Sequence, residues 1–282
     1  MQHAKHPQLA KHHYEKIRIV GRGTFGTVWL VRHHATGKQF IRKEVSMANM
    51  PRHEQKATMQ EVEVLKRLQH PHIVAYVDSY RDGDNLCILM EYANDGDLAS
   101  RIAAKKRAGA HFSETEVLTI LHQAASALAC CHHTHKLLHR DLKPANIFLD
   151  DGEVKLGDFG VSKFLAFSQA KAMTQCGTPL YMSPEMCQGQ PYTRAADVWA
   201  LGCVLYELMT MRAPWVAQLN PQAARGGMHG LMRQISGGRI DTSGVRGRYS
   251  SGLCALLHAL LAKNPAERPS MNALLRWPVL RA

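Results

Sequence analysis

The sequence contains no hydrophobic run long enough to cross a membrane. Its longest apolar stretches, such as Asp197 to Leu208, carry charges and fall short of the roughly 20 residues that a span requires. The His- and Lys-bearing N-terminus also lacks the apolar core of a signal peptide. The expected location is therefore cytoplasmic, with cytoskeletal or nuclear variants, and no membrane partner is expected. Paired cysteines are missing too: the seven present are odd in number and scattered without paired CxxC motifs. That argues against a disulfide framework or a zinc site and favours reduced thiols. Neither internal repeats nor Pro- or Gly-dominated stretches occur, which excludes a solenoid and a disordered chain. Acidic residues are scarce, 23 against 35 Lys and Arg, and the resulting net charge of +12 would attract anionic partners. The basic residues are spread out, however, with no aromatic-interleaved patch, so nucleic-acid binding is not expected. What remains is a 282-residue chain, 45% hydrophobic and 21% charged, long enough for one large domain or for two lobes sharing a cleft.

The pattern changes once. Up to about Tyr92 the chain reads as strands over Tyr14–Val20, Thr27–His33, Gln39–Val45, Ile73–Tyr80 and Leu86–Glu91, with turn signals at Ala35-Thr36-Gly37 and Asp82-Gly83-Asp84. One helix interrupts them, from about Arg52 to Leu68, where Val62, Leu65 and Leu68 recur at helical spacing. Beyond Tyr92 helices dominate: Leu98–Ala108, then Val117–His133 behind a capping box at Ser113-Glu114-Thr115-Glu116. Further helices are predicted at Arg194–Met211, about Met228–Ser236, Gly252–Ala262 and Ser270–Arg276, and the segment from Trp215 to Gly227 reads as the least structured.

Three sites carry chemistry. Gly21, Gly23 and Gly26 stand at GxGxxG spacing between two predicted strands, where missing side chains let backbone amides approach phosphate oxygens. A dinucleotide-binding turn shares the spacing but opens a helix, whereas Thr27–Leu30 alternates like a strand; a plain hairpin is the bland reading. Lys43 closes a strand on the same face as Ile41, and Glu61 on the following helix could pair with it. Glu63 is the competing carboxylate, about 200° around that helix. The decisive cluster is Leu138-His139-Arg140-Asp141-Leu142-Lys143-Pro144-Ala145-Asn146, followed by Lys155-Leu156-Gly157-Asp158-Phe159-Gly160. A hydroxyl nucleophile needs an oriented carboxylate, which suits Asp141, and a triphosphate needs a divalent metal held by hard oxygens, which suits Asn146 and Asp158. Each Asp taken alone reads better as a turn or cap residue, and it is the combination that points to chemistry.

Taken in order, these motifs resemble the eukaryotic protein kinase superfamily from about Tyr14 to Leu280. The resemblance implies an α+β, bilobal protein kinase fold: a small antiparallel β-sheet lobe with one key helix (about 14–90), a hinge (91–93) and a larger, mainly α-helical lobe (about 94–280), after an N-terminal extension of residues 1–13. It also implies ATP with Mg²⁺, Mn²⁺ being an alternative, and protein substrates. By the same resemblance Val20, Gly21, Arg22, Gly23, Thr24, Phe25, Gly26 and Val28 form the phosphate-covering segment, and Lys43 and Glu61 the activating ion pair. Ile41, Met90, Glu91 and Ala93 surround adenine, with Met90 as gatekeeper, and Asp97 meets the ribose. Asp141 becomes the catalytic base, Lys143 a γ-phosphate contact, and Asn146 and Asp158 the metal ligands. Gly177-Thr178-Pro179-Leu180-Tyr181-Met182-Ser183-Pro184-Glu185 resembles the end of an activation segment, for which Arg268 is the expected partner of Glu185 and Asp197 belongs to the helix linking them.

Lys143 and Gly177-Thr178-Pro179 resemble serine/threonine kinases, and Glu61-Val62-Glu63-Val64-Leu65 and Gly96-Asp97-Leu98 most resemble the NIMA-related group, with Aurora- or polo-like kinases as rivals. Val161 tilts the implied acceptor preference toward threonine. Arg140 beside Asp141 implies control by an activation-loop phosphate, with Thr174 the candidate, Ser168 and Thr178 weaker ones, and an upstream kinase as partner. Cys176 and the cluster Cys130, Cys131, His132, His133 and His135 are read as structural, since the cluster fits no four-ligand spacing. Ile41 stands where many kinases carry alanine and predicts a tighter nucleotide pocket. The end at Trp277-Pro278-Val279-Leu280-Arg281-Ala282, without heptads, fits a monomeric minimal enzyme or a fragment. A pseudokinase scaffold is the rival reading, and the loss of Lys43, Asp141 or Asp158 would have marked it.

Overall fold

A computed structural model describes residues 13–23, 26–48, 50–158, 180–215 and 227–281, apart from the side chains of Ala57 and Glu61. Among these residues, one compact unit ends at Ala93 and a second begins at Asn94.

The first unit is a five-stranded antiparallel sheet of β1 (Tyr14–Gly23), β2 (Gly26–His33), β3 (Gln39–Ser46), β4 (Tyr76–Asp82) and β5 (Asn85–Glu91) in the spatial order β1-β2-β3-β5-β4. Helix α1 (Arg52–Leu65) joins β3 to β4. Alternation along the strands gives the sheet two buried faces. Val45, Leu86 and Ile88 pack with Met47 against Val62 of α1, while Tyr14, Val31 and Leu89 form a second cluster with Trp29, Phe40 and Val77. Where boundaries differ from expectation by more than the neighbouring residue or bear on the site, four have a hydrogen-bonding reason. Strand β1 continues to Gly23 because Gly23 pairs with Gly26. Strand β3 runs to Ser46, so Lys43 lies inside the strand instead of closing it. Ile73 gives its N–H to the His70 carbonyl and so leaves the ladder, which delays β4 to Tyr76. Helix α1 stops at Leu65 because Arg67 and Leu68 tighten onto Val64 and Leu65.

The second unit is mainly helical: α2 (Leu98–Arg107), α3 (Glu114–Ala129), α4 (Pro184–Cys187), α5 (Arg194–Thr210), α6 (Gly227–Gly237), α7 (Ser251–Leu260), α8 (Met271–Leu274) and α9 (Pro278–Arg281). The capping box forms as expected: Ser113 Oγ accepts from Glu116 N at 3.2 Å, and Glu116 Oε2 accepts from Ser113 N at 2.8 Å. The expected continuation of α3 to His133 gives way to a π-helical turn, Cys130–Thr134. A short hairpin, β6 (Ile147–Asp150) and β7 (Glu153–Leu156), has no counterpart in the sequence-based expectation. Helix α5 is buried on every side from Ala196 to Met209 except at Glu207, the signature of a central helix. Gly202 permits this closeness, since a Cβ there would lie 2.9 Å from the Leu260 Cβ of α7. No described helix is long and apolar enough to cross a membrane. Gly227 opens α6, while 216–226 lie outside the described residues.

Candidate active site

In the second unit the β6–β7 hairpin assembles the acidic cluster. Ile147 pairs with Leu156, so Asn146 and Gly157 emerge side by side with Asp158 one residue further on, and Gly157 N donates to the Asn146 carbonyl at 3.1 Å. Asn146 is buried, and its Nδ2 donates to the Asp141 carbonyl at 2.7 Å. That bond occupies the amide nitrogen, so the oxygen is the atom that could act as a ligand. Lys143 Nζ lies 3.1 Å from Asp141 Oδ2. Residues 94–97 run beside β6, through Asp95 N to the Leu149 carbonyl at 3.0 Å and Leu149 N to the Gly96 carbonyl at 2.9 Å. Asp97 thereby sits opposite Phe148, and its carboxylate caps α2 by accepting from Ser100 N at 2.8 Å.

The backbone around the cluster is strained at two positions. Arg140 and Asp158 have φ of 67° and 51°, in the left-handed region that non-glycine residues rarely occupy. Asp197 on α5 holds the first of these. Its buried carboxylate accepts from His139 N at 2.9 Å, Arg140 N at 3.1 Å, His132 Nε2 at 2.7 Å and Tyr192 OH at 2.5 Å. Burial alone would raise its pKa, but the bonds from His132 and Tyr192 and the nearby His139 hold it below the usual aspartate value. Burial likewise holds the His139 imidazole below its ordinary value. His132 and Tyr192 were not singled out for this role in the sequence. His132 is aimed by a π-turn that no local pattern announces, and Tyr192 carries no signal beyond lying five residues before Asp197.

Elsewhere in this unit Arg268 grips Glu185 in a two-pronged pair, Nη1 to Oε1 and Nη2 to Oε2, each at 2.8 Å. Both side chains are buried, 0% and 4% exposed. Phe159, Gly160, Val161, Ser168, Thr174, Cys176, Gly177 and Thr178 lie outside the described residues.

In the first unit, the strand register puts Val28 opposite Lys43 and Lys43 opposite Ile88, with Ile41 opposite Leu30 and Met90. Val28, Ile41, Lys43 and Met90 therefore share one face. Val20 is the extra residue of a bulge between Ile19 and Gly21, and Arg22 pairs with Thr27. A Cβ on Gly26 would collide with the Glu44 carbonyl, whereas one on Gly21 would meet only the Val28 side chain, at 3.8 Å. Thr24 and Phe25 are outside the described residues, as is the Glu61 side chain. Its competitor Glu63 is committed elsewhere, 2.5 Å from Lys66 Nζ. Glu91 Oε2 accepts from Ala75 N at 3.0 Å, and Ala93 is buried.

Three of these observations fit a metal-nucleotide site. Asn146 and Asp158 supply hard oxygens, their number matches a cation that takes one or two protein ligands and completes its shell from phosphates and water, and a lysine stands beside the neighbouring carboxylate. The model for the protein kinase domain matches residues 14–280. The chain therefore belongs to the protein kinase family. Within it, the chain is similar to serine/threonine kinases of the NIMA-related, or Nek, group. It is 40% identical to mouse serine/threonine-protein kinase Nek1 over 263 residues, 93% of this chain and 21% of that protein. The zebrafish Nek8 kinase is 41% identical over 266 residues, 93% of this chain and 36% of that protein. For mouse Nek2 the identity is 37% over 274 residues, 95% of this chain and 60% of that protein. The chain thus spans well under half the length of the first two.

Proposed function

We propose that the chain is a serine/threonine protein kinase that transfers the γ-phosphate of ATP to hydroxyls of protein substrates. The observation that carries the reading is the hairpin register that sets Asn146 and Asp158 together beside the Asp141–Lys143 pair. Asp141 accepts the proton of the attacking hydroxyl and orients its oxygen. Lys143, already bonded to Asp141, neutralises charge on the transferring phosphoryl group. Asn146 and Asp158 would hold Mg²⁺, which when bound screens the phosphate charge. On the sheet face shared by Val28, Ile41 and Met90, Lys43 meets the α- and β-phosphates, and Glu61 holds it there. The room for a Cβ at Gly21 among protein atoms supports a segment kept bare for a ligand, not for packing. Asp197 contributes by holding the left-handed turn that presents Asp141.

Two finer features belong to the same proposal. Arg140 next to the base supports activation by a phosphate on Thr174, which would neutralise that cation and order the segment. Val161 supports a preference for threonine acceptors. The test compares wild type, Asp141→Asn and Asp158→Asn with ATP-Mg²⁺ and a generic protein substrate, before and after pre-incubation with ATP. Transfer by wild type, reduced about 10²- to 10⁴-fold in Asp141→Asn, is the expected result. A wild type no faster than Asp158→Asn after pre-incubation would overturn the reading in favour of a scaffold. Thr174→Ala with full activity would remove the switch alone, and equal rates on matched Ser and Thr peptides would remove the threonine preference.

A further inference from the structure

Strand β3 sends Ile41, Lys43 and Val45 to one face of the sheet and Arg42 and Glu44 to the other. On that second face the two residues anchor a polar network that reaches across the sheet. The Arg42 side chain is 4% exposed, and its Nη2 lies 2.6 Å from Glu44 Oε1. Its Nη1 donates to Tyr80 OH on β4 at 3.3 Å. Glu44 Oε2 accepts from Trp29 Nε1 on β2 at 2.9 Å, and Lys16 Nζ of β1 lies 3.0 Å from Oε1 and 4.3 Å above the Trp29 ring. Cys87 and Leu89 of β5, opposite Glu44 and Arg42, are buried beneath it.

Such a network is an expensive way to hold a sheet together. Arg42 Nε is buried with no acceptor among the described residues. Apolar residues of similar volume commonly serve as well as a buried ion pair or better. Stability alone therefore accounts poorly for it, and two backbone relations indicate what else it does. Lys43 lies between the two fixed side chains, so the twist of β3 that aims it is clamped from both sides. The Glu44 carbonyl also occupies the space that a Gly26 Cβ would need, which seats the last glycine of the phosphate-covering segment on the same residue.

We infer that Arg42 and Glu44 are positioning residues for Lys43 and for the glycine segment, acting from the face of the sheet opposite to them. The inference rests on the kinase reading above. Neither residue touches the nucleotide; the pair fixes where the groups that do so are held.

The test is Arg42→Met/Glu44→Gln, which removes both charges together and leaves neither stranded. Its thermal midpoint is expected within a few degrees of wild type, while kcat/KM for ATP falls about tenfold, the scale of a sub-ångström misplacement. Acylation of Lys43 by an acyl-phosphate derivative of ADP, read by mass spectrometry, slows by a similar factor, with Lys143 as the reference within the same chain. Lys38→Gln removes a cation over Phe40, outside the network, and leaves both readouts within about twofold. A folded double variant with wild-type kcat/KM and wild-type Lys43 labelling would overturn the inference. If the double variant does not fold, Tyr80→Phe and Trp29→Phe carry the same comparison with a threefold effect expected, and unchanged labelling in both overturns it. A wild type that labels Lys43 but transfers no phosphate refutes the kinase reading alone, and the labelling comparison still decides the positioning role. One that does neither overturns both.

Discussion

Replacing Arg268 by methionine is expected to be the most damaging single change in the second unit away from the acidic cluster. All five guanidinium N–H groups are used. Two reach Glu185, and the others go to the Ala195 carbonyl at 2.8 Å, the Ala262 carbonyl at 2.8 Å and the Lys263 carbonyl at 3.2 Å. One planar fork thus ties α4, the start of α5 and the segment after α7 together, with Trp199 5.0 Å from its carbon. Methionine strands a buried carboxylate from its cation and takes a donor from three carbonyls, and breaking one side of such a pair costs about 3–5 kcal/mol. At roughly 2–4 °C per kcal/mol for a unit of this size, the thermal midpoint falls by on the order of 10 °C. Urea titration is the companion assay and should show a lower midpoint with an unchanged slope. Lysine at 268 restores the charge but not the fork and recovers little. Removing both partners in Arg268→Met/Glu185→Leu should be less harmful than removing the arginine alone, because no buried charge is stranded. Burial opposes the charge on Glu185, yet Arg268 holds its carboxyl below the usual range. A lowered folded pKa contributes stability that is present above the unfolded value, about 4.3, and is lost as pH falls through the folded one. That acid-side loss should shrink in Glu185→Gln. An Arg268→Met variant less than about 1 kcal/mol below wild type would refute this account.

Two further outcomes follow from the same unit. Lys263 donates to the Ile235 carbonyl and lies 4.4 and 5.2 Å from the Trp215 and Trp199 rings, and burial pushes its pKa down from 10.5 to about 8. Between these values the unfolded chain binds more protons, so stability should rise with pH across that window, and Lys263→Met should flatten the rise; denaturation midpoints on either side of the window check it, and an unchanged slope refutes it. Alanine at Gly202 would drive a Cβ to 2.9 Å from Leu260 Cβ and Leu261 Cδ2, costing about 1–3 kcal/mol where helix propensity alone predicts a gain, so a stabilised Gly202→Ala variant would contradict the close packing of α5 on α7.

Much of this protein was legible without coordinates. Asp141, Lys143 and Asn146 lie within six residues, and the capping box at Ser113 and Glu116 within four, so both patterns are local and survive any rearrangement of the rest. The strands of the first unit were legible for the same reason: alternation is a property of neighbours. Several of their ends were not, because a strand stops where its partner stops, as Gly23 does opposite Gly26, although Tyr14, His33, Gln39 and Glu91 bound their strands as expected. The β6–β7 hairpin escaped notice since four-residue strands carry too little pattern, although it alone sets Asn146 beside Gly157.

Burial is where the sequence was silent. Nothing in an alternating strand marks Arg42 as buried, and His132 lies in a run of histidines and cysteines at a predicted helix end. Tertiary structure put both under other elements, Arg42 against Tyr80, 38 residues away, and His132 against Asp197, 65 residues away. Local order fixed which groups could do chemistry. Desolvation, which depends on chain segments far apart in sequence, decided which polar groups had to find partners and so which contacts hold those groups in place.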